Sequence, residues 1–338
     1  MIGFEKTFLG DEQIPRVWQI TSGNDADIEE VVDWLREHNS MLVSDRDRYG
    51  AVLLRGLEAI NSPQTFDAVL DVIANELMDY VGGSAPREVV YKRVTTASGL
   101  PGTYSLALHQ EMAYQMSRPD ALALFCETPP DEGGETPIAD ARVVTSRLDP
   151  AVRERFDSKG VGVRRALPSP TQGDFNQVPR PWHHVFGTSD HAQVERIAEE
   201  KQWKVEWCSD DSMLLWQQVL PAFKSHARTG ERVWANQVHY HMPECMVQWA
   251  LRDKRMDEAE ELRRKMIETP EKVDHAFHSD GTRVSSEDAE HVWDVLAESE
   301  IPIHWQRGDV LLLDNVLAMH GRNRYSGRRR ILVGLIKD

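Results

Sequence analysis

The chain has 338 residues, 41% hydrophobic and 28% charged, with a formal net charge of −16 at pH 7. That length can make one large domain or two small ones, with enough apolar side chain for a sizeable core. So acidic a chain argues against nucleic acid or an anionic membrane as partner, because either selects a basic surface.

Cys126, Cys208 and Cys245 are widely spaced and form no Cys-x-x-Cys pair. A disulfide framework or a structural zinc site is therefore not expected, and a reducing cytosol fits. The first seven residues, Met1 to Thr7, show no basic stretch leading into an apolar one, so no signal peptide is expected. No apolar run approaches the ~20 residues needed to span a bilayer. The expectation is a cytoplasmic protein acting on a small molecule, with homo-oligomer formation left open.

In chain order, residues 27–37 place Ile28, Val31, Val32 and Leu35 on one helical face. The run Ala51 to Arg55 reads as a buried strand. The spacing of Phe66, Val69, Leu70, Ile73, Leu77 and Val81 predicts a helix over 63–81, with Ser62 as N-cap and Pro63 in its first turn. Further strands are expected at Ala121 to Cys126, Val310 to Leu313 and Ile331 to Ile336, and helices at 190–200, 255–267 and 286–298. Strands and helices do not alternate regularly, which argues against a doubly wound sheet. The expected fold is mainly β with flanking helices around a jelly-roll (double-stranded β-helix) core. No repeat or Gly/Ser linker divides the chain, so residues 1–338 are expected to form a single domain. The proline-rich stretch around 165–185 is expected to be a lid loop over the site.

Residues 104–111 carry the chemistry. If they form a strand, Ser105, Ala107, His109 and Glu111 share one face, and Leu106 and Leu108 the other. His109 and Glu111 could then bind one ion together, whereas on a helix they would diverge by about 200°. A lone His-x-Glu is a weak signal, and its company strengthens it. Thr136 follows the turn Gly133-Gly134, and His320 follows the apolar run Val310 to Leu313. Arg328, Arg329 and Arg330 lead into the last strand, where Arg330, Leu332 and Gly334 are expected to share a face. Arg330 adjoins Ile331, so it is expected inside the sheet, where its guanidinium could pair bidentately with a bound carboxylate. Arg328 and Arg329 read as a solvated charge run. Two imidazoles and a carboxylate on one face of a metal, with the opposite positions open, is the non-haem iron(II) arrangement.

From Tyr49 to the C-terminus the chain resembles the taurine dioxygenase and clavaminate synthase-like branch of the iron(II)- and 2-oxoglutarate-dependent oxygenases. The segments that carry the resemblance are Leu108 to Tyr114, Pro130 to Pro137, Trp182 to Asp190, Gly308 to Asn315 and His320 to Arg322. The resemblance implies Fe(II) ligation by His109, Glu111 and His320, and a grip on the distal carboxylate of 2-oxoglutarate by Thr136 and Arg330, with O2 as the second co-substrate. Taurine dioxygenase carries a second arginine for its sulfonate four residues past the 2-oxoglutarate arginine, where this chain has Gly334. The substrate anchor must therefore differ, and Ser105 and Gln110 are candidates. Related halogenases lack the carboxylate ligand, so Glu111 favours hydroxylation.

His183, His184, His239 and His241 form close pairs but lack carboxylate or cysteine company, so a second metal is not expected. Trp234 and Asn236 are open between pocket lining and core packing. The expected reaction is hydroxylation of an unactivated C–H of a small polar substrate, an amino acid or amino-acid-derived intermediate of specialised metabolism, with succinate and CO2 as co-products. Desaturation or cyclisation by the same chemistry is the alternative outcome. A zinc hydrolase using the same ligands is disfavoured because no His-Glu-x-x-His helix occurs. A non-catalytic jelly-roll binding protein is the remaining alternative.

Overall fold

A computed structural model describes residues 1–9, 13–79, 87–172 and 179–337. Two facing sheets hold the centre. In the larger one, Ala51–Arg55, Val310–Asp314, Ala121–Thr128 and Arg330–Lys337 lie side by side in that order. The smaller sheet runs Ile301–Ile303, Thr136–Asp140, Ala318–Arg322, Leu106–His109. They make a jelly-roll core that does not close into a barrel.

Both faces of the large sheet are buried, which is why its strands read as continuous apolar runs. Leu122, Leu124, Leu311, Leu313, Ile331 and Val333 face the small sheet and pack on its Ile138, Ile303 and Ala318. The alternate residues Val52, Leu54, Phe125, Leu312 and Leu332 face outward against Val31, Leu35, Phe66 and Leu70. Each such side chain, fully buried, stabilises the fold by roughly 1.5–3 kcal/mol. A third sheet, Lys204–Trp207, Met213–Leu220, Val161–Leu167 and His275–Phe277, supplies a further wall to the central chamber.

The helix expected over 27–37 runs on as Ile28–Tyr49. Asp27 and Glu30 form a capping box at its start, and Gly50, at φ +75°, ends it. Its second half is largely polar, yet Leu42 and Arg46 are buried there, so periodicity alone stops too early. The opposite error occurs at 63–81. Ser62 and Pro63 open the helix as expected, but it ends at Ile73. Leu77 instead joins the strand Glu76–Met78 and pairs with Ile336, because pairing with the last strand outweighs local helical preference. Val81 lies outside the described residues. The helices His191–Glu200, Met256–Glu268 and Ser286–Glu298 match expectation, the last capped by Ser285.

Part of the stretch expected as a lid is regular structure. Val161–Leu167 is a strand and Trp182–Phe186 a short helix, while residues 173–178 lie outside the described residues.

Candidate active site

His109 ends the strand Leu106–His109 and sits directly across from His320 on Ala318–Arg322. His320 in turn pairs with Ile138 on its other side. Both imidazoles face the space between the sheets, with ring centroids 4.4 Å apart. Glu111 lies beyond the strand, in a turn where Met112 takes φ +57°. Asn315 holds that turn: the Glu111 amide donates to its Oδ1 at 2.7 Å, and its Nδ2 donates to the carbonyls of Glu111 at 2.9 Å and Pro119 at 2.8 Å. Ligand atoms of His109, Glu111 and His320 all lie within 4.8 Å of one another.

The electronic state of these groups suits a cation. Burial is the main force holding both imidazoles below the ordinary histidine pKa, His320 well below it, so both are neutral. His109 Nδ1 is 2.9 Å from the carbonyl of Ala107, where it can only donate; Nε2 therefore keeps its lone pair for a metal. Tyr240 donates to the same carbonyl at 2.8 Å and packs edge-on against His109. Glu111 Oε2 accepts from Arg87 Nη2 at 2.7 Å and lies 3.8 Å from His320 Nε2. Two neutral nitrogens and one carboxylate fit Fe(II).

The triad opens on a chamber of about 130 Å³, walled on its apolar side by Leu106, Leu122, Leu124, Ile331 and Val333. Thr136 and Arg329 form its other polar end. Thr136 Oγ1 accepts from Trp305 Nε1 at 3.0 Å and from Arg329 Nη2 at 3.4 Å, and Arg329 Nε donates to the carbonyl of Gly134 at 3.0 Å. Gly134, at φ +71°, has no room for a Cβ, which would lie 2.8 Å from Pro130. Burial lowers the Arg329 pKa to about 10, so it stays charged at neutral pH.

Arg330, expected at this position, points the other way. It is half exposed and pairs with Glu127 at 2.6 Å. Glu127 is the extra residue of a bulge in Ala121–Thr128, so Arg330 pairs with Thr128 and Ile331 with Cys126. The inward face of the last strand is thus Arg329, Ile331 and Val333; on the opposite face Leu332 packs against the outer helices, Gly334 lies close to Leu70, and Arg330 is at the surface. Four residues past the inward arginine stands Val333 rather than Gly334, and it too offers no charge.

Neither Ser105 nor Gln110 reaches the chamber. Ser105 Oγ accepts from Trp249 Nε1 at 2.9 Å and its amide donates to Asp253 at 2.8 Å. A bulge between His109 and Leu106 lets Leu106 take the inward place instead. Gln110 is fully buried, donating to the carbonyl of Trp234 at 2.7 Å and accepting at its own carbonyl from Gln237. Trp234 is core, with its Nε1 on the carbonyl of Asn236.

None of the paired histidines 183, 184, 239 or 241 belongs to a metal-binding cluster among the described residues. A second cluster, Asp47, His226 and Asp314, already holds a cation, since Arg228 bonds Asp47 at 2.7 Å. The Thr229 amide donates to His226 Nδ1 at 3.1 Å, so the His226 proton sits on Nε2, facing Asp314 at 2.9 Å. Arg87, Arg329 and Asn315 were not singled out from sequence as site residues. Arg87 belongs to no motif, and an arginine run gives no hint which member turns inward.

A jelly-roll sheet pair presenting two neutral imidazoles and a carboxylate to one chamber defines a non-haem iron(II) oxygenase. Residues 12–336 match the family described as taurine catabolism dioxygenase TauD, TfdA family, and the chain belongs to it. A clavaminate synthase-like protein of Arabidopsis thaliana is 32% identical over 291 residues, covering 85% of this chain and 82% of that protein. The dapdiamide synthesis protein DdaC of Enterobacter agglomerans is 30% identical over 290 residues, with the same coverage of 85% and 82%. Among solved structures, an asparagine oxygenase in complex with Fe(II), 2S,3S-3-hydroxyasparagine and succinate superposes with a TM-score of 0.55 at 12% identity, over 95% of this chain and 93% of that one. The protein is an iron(II)- and 2-oxoglutarate-dependent dioxygenase, which sets aside the zinc hydrolase and the non-catalytic binding protein. No helix among the described residues is long and apolar enough to cross a membrane.

Proposed function

We propose that the chain, acting as one catalytic domain, hydroxylates an unactivated C–H of a small polar substrate, an amino acid or a compound made from one. The reaction is R–H + O2 + 2-oxoglutarate → R–OH + succinate + CO2. One observation carries this reading: the His109–Glu111–His320 triad and the Thr136–Arg329 pair line the same chamber. A metal site with that second grip has a use for a dicarboxylate co-substrate.

His109, Glu111 and His320 would hold Fe(II), and Thr136 with Arg329 would hold the distal carboxylate of 2-oxoglutarate. Iron(II) with 2-oxoglutarate and dioxygen supplies the oxidative decarboxylation and the hydrogen abstraction. The chain's own residues do the rest. Arg329 presents a fixed charged fork to the carboxylate, and Leu106, Leu122, Ile331 and Val333 keep bulk water from the reacting carbon. Retention of Glu111 supports hydroxylation over halogenation. The amino-acid class is supported by the asparagine oxygenase's hydroxyasparagine complex and by DdaC's place in dapdiamide synthesis. Cys126, Cys208 and Cys245 are all unpaired, which supports a cytoplasmic setting.

The test is anaerobic. Iron-loaded protein titrated with 2-oxoglutarate should develop a visible metal-to-ligand charge-transfer band. Admission of 18O2 should then place one labelled atom in succinate. Absence of the band, or succinate formed without dependence on 2-oxoglutarate, overturns the reading.

A further inference from the structure

Arg165 lies in the strand Val161–Leu167, whose neighbour Arg164 faces the opposite side and donates to the carbonyls of Glu271 at 3.0 Å and Val273 at 2.6 Å. Arg165 lines the metal chamber and is only 6% exposed. Among the described residues its guanidinium makes no hydrogen bond or ion pair, and its Nε is buried without an acceptor. Asp274, the carboxylate sharing that wall, is already engaged: Oδ1 accepts from the Ala166 amide at 2.7 Å, and Oδ2 lies 3.5 Å from His241 Nδ1.

A buried arginine cannot shed its charge as a lysine can. Leaving it desolvated without a counter-ion is strongly unfavourable, so such a group in a chamber marks the place of an anion. The chamber's other charges point the same way. Arg87 is paired with Glu111, Arg322 is spent on the carbonyls of Leu100, Pro101 and Tyr104, and Arg329 serves the Thr136 end. With Arg180, which donates to the carbonyl of His184 at 3.5 Å, five arginines line the chamber against two carboxylates, Glu111 and Asp274, in a chain whose net charge is −16. A single 2-oxoglutarate at Thr136 and Arg329 leaves Arg165, on a different sheet, without an anion. Val333, on the last strand, offers the substrate only an apolar contact.

We infer that Arg165 binds a carboxylate of the substrate to be oxidised, so that the substrate class is a small carboxylic acid whose reacting carbon lies between Arg165 and the metal triad. This rests on the oxygenase reading and adds the substrate's charge and the residue that reads it. The Arg165 fork takes both carboxylate oxygens, and Leu106 and Val333 contact the aliphatic part.

The experiment uses full-length protein loaded with Mn(II) and N-oxalylglycine, an unreactive stand-in for 2-oxoglutarate. Calorimetric titration with the twenty L-amino acids and their N-acetyl derivatives is set against the matching carboxamides. At least one acid should bind about thirty-fold or more tighter than its amide. Arg165→Met should abolish that preference and Arg165→Lys retain part of it, with N-oxalylglycine affinity unchanged in both. Acids bound no better than amides by the wild-type chain, or a preference that survives Arg165→Met, overturns the inference; the wild-type comparison stands even if a variant fails to fold. Failure of N-oxalylglycine to bind overturns the oxygenase reading and this inference with it. Normal N-oxalylglycine binding without acid preference strikes the Arg165 inference alone.

Discussion

Arg329 and Arg330 are adjacent in the chain and serve opposite sides of the large sheet. Arg329 reaches Gly134 and Thr136 in the chamber, while Arg330 reaches Glu127 at the surface. Alternation along a strand demands this divergence, and because Ile331 and Val333 face the chamber, Arg329 goes in and Arg330 out.

The pair therefore makes a sharp test. Arg329→Ala removes one partner of a buried charged contact, which costs about 2–5 kcal/mol. Anaerobic titration should show 2-oxoglutarate affinity falling by about thirty-fold to a few thousand-fold. Arg330→Ala should change it by about twofold or less, since its ion pair is half exposed. Equal losses in the two variants would contradict the assignment.

Arg87 Nη2 holds Glu111 Oε2, the same oxygen that lies 3.8 Å from His320 Nε2, and so fixes the carboxylate beside the imidazoles. Partners that orient a metal ligand typically contribute 10- to 100-fold in metal affinity or activity. Arg87→Met should weaken Fe(II) binding by about that factor in a chelator competition, with the urea midpoint of the metal-free protein moving far less.

Asn315 makes three hydrogen bonds to the Glu111 turn and Pro119 from a fully buried position. Asn315→Leu strands a buried amide and two carbonyls, each costing about 1–3 kcal/mol when unsatisfied. Denaturant unfolding should show a loss of several kcal/mol, and weaker metal binding should accompany it because the turn carries Glu111, a proposed ligand. A variant of normal stability and full iron affinity would show that the clamp is dispensable.

Acid should destabilise the metal-free protein before its carboxylates titrate. Burial holds His239 down to about 3 and His275 to about 4, with His109, His241 and His320 also below 6.5. Unfolded, these groups take up protons near 6.5. Between that value and about 4 the unfolded chain binds more protons, so stability falls as pH falls through this window. Asp309, raised by burial, acts in the opposite direction above 3.8 but is one group against several. Urea midpoints should decline steadily from about pH 7 to pH 4.5, and His239→Leu should flatten the slope. A flat wild-type profile would contradict the argument.

Much of the site was legible in the primary structure. His109, Glu111 and His320, the proposed metal ligands, stand in the segments singled out for them and come within 4.8 Å of one another, and Thr136 lies just past the Gly133-Gly134 turn, in the same chamber. The runs at 51, 121, 310 and 331 are the four central strands. What failed was parity. A strand buried on both faces has no polar side to reveal which residues look inward, and one bulge reverses the answer for everything beyond it. The missing polar side misplaced Arg330 for Arg329, and the bulge between Leu106 and His109 put Leu106 where Ser105 was expected. Arg165 left a trace, two arginines inside the apolar run Val161 to Leu167, but that run fell at the edge of a stretch read as loop.

Residue type and order determined the donor set, the strand-forming segments and hence the chemistry open to the chain, because those depend on local composition and on which side chains exist at all. The tertiary structure alone decided which neighbour in each pair faces the chamber. Facing is set by cross-strand register, and register depends on bulges and on partners hundreds of residues away that no local pattern encodes.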